Sequence, residues 1–160
     1  MIQAAIKSPK IYSEWVETLD MLKAKADDDA VLRALREGTI EWQSGVSERF
    51  SKKLIDTINA RMNAASDKCQ RDLSNARGHE GHIVQALLSL RKEMNFLSQT
   101  VNLPAIPEKD RPKYHQLVQK QADNMQSSLE DSAKKDRSGK MASIVRNHKV
   151  NTFDGKDENK

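Results

Sequence analysis

Nine apolar or small residues, Val46, Phe50, Leu54, Ile58, Met62, Ala65, Cys69, Leu73 and Ala76, recur at steps of 4, 4, 4, 4, 3, 4, 4 and 3, and no glycine or proline intervenes. These steps keep all nine on one face of an α-helix and on no single face of a strand. The spacing predicts one helix over residues 46–77, about 48 Å long at about 1.5 Å per residue. The average helix has only about 11–12 residues. A chain with such an element has to build an α-helical core around it. Glu48, Arg49, Lys52, Lys53, Asp56, Arg61, Asp67, Lys68 and Arg71 fall between the stripe positions and read as its solvated face. Glu48–Lys52 and Asp67–Arg71 are spaced and oriented for i,i+4 pairing.

Gly78-His79-Glu80-Gly81 interrupts the pattern. A second helix is expected over 82–102, where Ile83, Leu87, Leu90, Met94, Leu97 and Val101 follow steps of 4, 3, 4, 3 and 4. That heptad seam is a helix–helix interface. Val84, Leu88 and Phe96 widen it. Two amphipathic helices joined by a short glycine-containing turn make an antiparallel αα-hairpin. The second arm, about 31 Å long, leaves part of the first for other helices or another chain to cover.

The flanking sequence supplies those helices. Ser8-Pro9 has the form of an N-cap followed by a first-turn proline, and Ile11, Tyr12, Trp15, Val16, Leu19 and Leu22 follow at helical spacing. Asp27, Asp28 and Asp29 suit the positive end of a second, short helix carrying Val31, Leu32 and Leu35, with Gly38 at its end. Thr39–Gly45 reads equally as helix or as connecting turn. Residues 104–112 form a proline-rich connector. A last long helix is expected over 111–136, with Tyr114, Leu117, Val118, Ala122, Met125, Leu129 and Ala133 inward. After Ser138-Gly139, Lys140–Lys149 reads as a short basic helix, with Met141, Ile144 and Val145 able to dock it. Leu, Ile, Val and Phe total only 33 of 160 residues, so the core is thin. Six glycines, four prolines and 4% aromatics disfavour a β-sandwich or barrel. The expected fold is all-α: an elongated helical bundle built on a long antiparallel hairpin (46–77 and 82–102), with N-terminal helices and a long C-terminal helix. One domain is expected over 1–149, followed by a disordered tail over 150–160.

Charge is unevenly placed. The chain carries 27 Lys+Arg against 23 Asp+Glu, a net charge of +4. Lys134, Lys135, Arg137, Lys140, Arg146 and Lys149 occur with a single acid, Asp136, between residues 134 and 149. That segment is +5 and the rest of the chain is −1. These six cations are the candidate contact for a nucleic-acid backbone or an acidic protein partner, although solvated surface accounts for them as readily. No apolar run is long enough for a transmembrane helix, and the N-terminus lacks the pattern of a signal peptide. With a lone cysteine, a reducing cytoplasmic setting is expected.

Catalytic constellations are not evident. His79-Glu80-Gly81-His82 places its histidines at i,i+3, whereas the zinc-protease motif needs i,i+4. A metalloenzyme around His79 and His82 is therefore a remote reading, and no metal or cofactor is expected. Cys69 lies in the apolar stripe and reads as a small hydrophobe. Gly139-Lys140 lacks the rest of a phosphate loop, and Ser44-Gly45-Val46-Ser47 lacks the glycines of a nucleophile elbow. Trp15 and Trp42 read as core. The expected function is a non-enzymatic helical interaction or assembly protein. It would act as an oligomer or as a small subunit of a larger complex, of the nucleoprotein, phage or mobile-element kind. The alternative is a sequence-nonspecific nucleic-acid binder. No membrane or small-molecule partner is expected.

Overall fold

The computed structural model describes residues 6–136 and 138–152. They form six α-helices: α1 (Tyr12–Lys23), α2 (Asp28–Glu37), α3 (Val46–Ala76), α4 (Glu80–Gln99), α5 (Arg111–Ala133) and α6 (Lys140–Asn147). A single 3-10 turn, Glu108–Asp110, leads into α5. No strand occurs among the described residues, and none of the described helices is long and apolar enough to cross a membrane. Contacts divide the chain into two compact units: Met1–Arg61 with Thr100–Pro112, and Met62–Gln99 with Lys113–Lys160. α3 gives its first half to one and its second half to the other.

The first unit is organised around aromatic rings. Trp15 and Trp42 each meet Phe50 edge-on, with centroids 5.4 Å and 5.2 Å apart. Trp15 is fully buried and its indole Nε1–H donates to Thr39 O at 2.8 Å. Trp42 is half-buried, and its Nε1–H donates to Ala105 O at 2.9 Å. Each large apolar side chain buried with them contributes about 1.5–3 kcal/mol, and each buried indole N–H needs such an acceptor. The aromatic anchoring settles Thr39–Gly45, which is non-helical.

Ser8-Pro9 does not start α1. The helix begins three residues after Pro9, and the Glu14 carboxylate accepts from the Lys10 and Ile11 N–H groups at 2.9 and 3.3 Å. Pro9 instead lies buried in extended chain, with its carbonyl accepting from Thr39 N–H at 2.9 Å. Gly38 sits against this joint. A Cβ there would come 2.7 Å from Trp15 Cζ2 and 2.9 Å from Pro9 Cγ. The glycine is needed for close approach and not for a left-handed helix end, since its φ is −72°.

Arg61 corrects the expected solvated face of α3. It is 3% exposed, and its guanidinium binds both carboxylate oxygens of Asp28 and the Leu22 carbonyl. Lys53 pairs with Asp20. Farther along, Lys68 and Asp72 form an i,i+4 ion pair at 2.8 Å.

In the second unit Met62, Cys69, Leu73 and Ala76 of α3 are buried, as are Tyr114, Val118, Ala122, Met125, Leu129 and Ala133 of α5. Leu88, expected to widen the α4 stripe, is 45% exposed instead.

Candidate functional site

α6 is held to α5 by polar side chains spaced along one α5 face. Gln126 is buried; its Nε2 donates to Val145 O at 3.3 Å, and its Oε1 accepts from Val150 N–H at 3.0 Å. One turn earlier, Asp123 Oδ1 accepts from Asn151 Nδ2 at 2.8 Å and from Gln119 Nε2 at 2.9 Å. Gln119 also donates to Asn151 O at 3.0 Å. Of these partners Val145 lies in α6, and Val150 and Asn151 lie in the chain just after it. The first two residues of the expected tail, Val150 and Asn151, belong to this joint; residues 153–160 lie outside the described residues.

The start of α6 is fixed separately. Gly139 has φ +74°, a left-handed conformation that a glycine adopts without penalty. The Asp136 carboxylate accepts from Met141 N–H at 3.1 Å and from Ser138 Oγ at 2.8 Å. Met141 N–H first and the Ser138 hydroxyl second hold the Asp136 carboxyl below its ordinary value. Asn151 and then Gln119 do the same to Asp123. Ile144 and Val145 point inward and are buried, and α6 packs on α4.

With that face inward, the cations point out. Lys134, Lys135, Lys140, Arg146 and Lys149 are all exposed. Lys134 lies 3.6 Å from Asp131, with both side chains three-quarters exposed, an ion pair of little energetic weight. Arg137 lies outside the described residues. The five described cations are therefore exposed on α6 (Lys140, Arg146), before it (Lys134, Lys135) and just after it (Lys149).

The heptad seam lies elsewhere. Ile83, Leu87, Leu90, Met94, Leu97 and Val101 are all between 0% and 3% exposed within the single chain. A contact between copies therefore needs another surface. His79 and His82 stack at the exposed turn before and within α4, with ring centroids 5.0 Å apart and planes 28° from parallel. Among the described residues no three metal-ligating side chains lie together. Cys69 is buried, and its thiol lies 3.7 Å from Ala86 O. Burial, with a smaller push from Asp72, raises its pKa to about 11, so it stays protonated at neutral pH.

A surface that the sequence reading missed lies in the first unit. Lys10, Ile11, Tyr12, Ile40, Glu41 and Val46 line a cleft of about 450 Å³. Ile11 is 59% exposed, the highest value among the exposed large hydrophobic residues that are described. Tyr12, Ile40 and Val46 are half-buried beside it, and the Arg49 guanidinium stands 5.8 Å from the Tyr12 ring centroid. Periodicity alone had placed Ile11 on the inward face of α1. The helix starts one residue later, which turns Ile11 outward.

Comparison with protein-family models, with curated proteins and with solved structures returns no match.

Proposed function

We propose that the chain is a non-enzymatic helical assembly protein of the cytoplasm that joins copies of itself through the Ile11 cleft. It would serve as a subunit of a larger complex. The observation that carries this reading is an exposed apolar knob beside a cleft half-lined with apolar side chains. A twofold contact uses the same patch on both partners. One copy's Ile11 would enter the other's cleft between Tyr12, Ile40 and Val46. The rim supports the same geometry, because Lys10 and Glu41 carry opposite charges on one patch. The scaffold in this reading is a helical bundle resting on an antiparallel α3–α4 hairpin. Two features of the second unit support it: the Ala76 O to His79 N–H turn at 2.9 Å, and the Cys69–Ala86 contact.

Size-exclusion chromatography with light scattering, run as a concentration series, tests the reading. The expected result is a rise from the 18.1 kDa chain mass towards twice that value. Ile11→Lys puts a charge where the apolar anchor would be buried. It should weaken association by about tenfold or more, as expected on losing a central anchor. A wild-type chain that stays monomeric throughout the series refutes the proposal.

A further inference from the structure

We infer that the exposed cations of α6, of the turn before it and of the chain just after it form a binding surface for the phosphate backbone of duplex DNA. Lys134, Lys135, Lys140, Arg146 and Lys149 form it. Three features of the second unit favour this occupant.

First, two carboxylates of this region are turned to other donors. Asp136 accepts from Met141 N–H and Ser138 Oγ, and Asp123 from Asn151 and Gln119. The ion pair seen here among the described residues, Lys134–Asp131, is long and exposed. Second, the strip is held in place before any ligand arrives. Gln126 fastens Val145 and Val150, and Ile144 and Val145 are buried. Little conformational freedom of the α6 backbone is then lost on binding. Third, the apolar side of α6 faces inward, so no hydrophobic residue on it is free to enter a lipid layer. Between Lys134 and Thr152 the only ring is that of the half-buried His148. Binding of single strands draws on aromatic stacking, which this face does not offer. A duplex presents about one negative charge per 1.7 Å of axis, so a strip of this kind meets several phosphates together.

The inference does not depend on self-association through the Ile11 cleft. Fluorescence anisotropy with a labelled 30-base-pair DNA duplex tests it. Binding is expected at 50 mM salt, with a log–log salt slope no steeper than about −4.5 for five contacts. Affinity should fall by up to about 500-fold between 50 and 200 mM salt. A variant carrying Lys135→Gln, Lys140→Gln, Arg146→Gln and Lys149→Gln should lose most of the affinity and show a flatter slope. A control with the same charge change in the first unit, Lys7→Gln, Lys23→Gln, Arg33→Gln and Lys52→Gln, should bind like wild type. Ile11→Lys should also bind, which separates this result from the fate of the assembly proposal. A single-stranded oligonucleotide and anionic vesicles should both bind more weakly than the duplex. The inference is overturned by no retention at 50 mM salt, by equal losses in the two quadruple variants, or by tighter binding to single strands or vesicles.

Discussion

Arg61 grips Asp28 with both arms of its guanidinium. Nη1 is 2.8 Å from Oδ1, Nη2 is 3.0 Å from Oδ2, and Nη1 also donates to Leu22 O at 3.1 Å. One side chain of α3 thus ties the end of α1 to the first turn of α2. The arginine side chain is 2% exposed and its partner 31% exposed. Removing the carboxylate strands a buried cation, which is costlier than replacing the cation with an apolar group. Asp28→Ala should lower unfolding free energy by about 3 kcal/mol, towards the low end for a broken buried pair because water still reaches the site. Arg61→Met should cost less. Urea denaturation orders the two, and the reverse order would contradict this account.

Gly38 and Gly81 should respond to alanine with opposite signs. A Cβ on Gly38 meets Trp15 and Pro9, whereas one on Gly81 in α4 meets nothing within 4 Å. Gly38→Ala should destabilise by about 1–3 kcal/mol through overpacking and shift the emission of Trp15. Gly81→Ala should stabilise by up to about 1 kcal/mol through helix propensity. Thermal melts and tryptophan fluorescence of the two variants check both halves.

Gln126 is the pin of α6. Gln126→Leu keeps the bulk but leaves the Val145 carbonyl and the Val150 N–H without their partner, a loss of about 1–3 kcal/mol. Hydrogen exchange should speed up over residues 140–150, while protection of α5 around Val118 and Ala122 persists. Equal loss along α5 would mean that the pair unfolds as one piece.

Acid should loosen the same joint. Asp136 and Asp123 both titrate below their ordinary value of 3.8 when folded. A depressed carboxylate stabilises the fold above its unfolded pKa, and that contribution is lost as pH falls through the folded value. The window therefore lies below about pH 3.8. In an NMR titration the Met141 amide should follow Asp136 protonation in that range. Asp136→Asn, which keeps an acceptor but cannot ionise, should remove the response. An unchanged Met141 profile in the variant would disprove the assignment.

Much of the helical layout was legible in the sequence. The stripe from Val46 to Ala76 reproduces α3 to within a residue, because no other structure uses four-residue steps for so long. The basic helix after Gly139 was legible for the same reason: Met141, Ile144 and Val145 share one face. What escaped was long-range. Arg61 has the spacing of a surface cation, and only Asp28, far back in the chain, makes its burial affordable. Trp42 departs from helical structure because it reaches Ala105, 63 residues away. Gln126 resembles any other glutamine on α5 until Val150 comes to it. The cations were visible in composition, but their outward display depends on which side of α6 is docked. The Ile11 cleft depends on α1 starting at Tyr12 instead of at Pro9, and periodicity does not resolve that.

Self-association through the Ile11 cleft is tested most directly by exchanging its rim charges. In a twofold contact Lys10 of one copy faces Glu41 of the other. Lys10→Glu alone and Glu41→Lys alone each set like charges against one another, and an equimolar mixture restores two opposite pairs. Light scattering should show each variant associating more weakly than wild type and the mixture recovering the dimer mass. A mixture no heavier than its separate components would contradict the account.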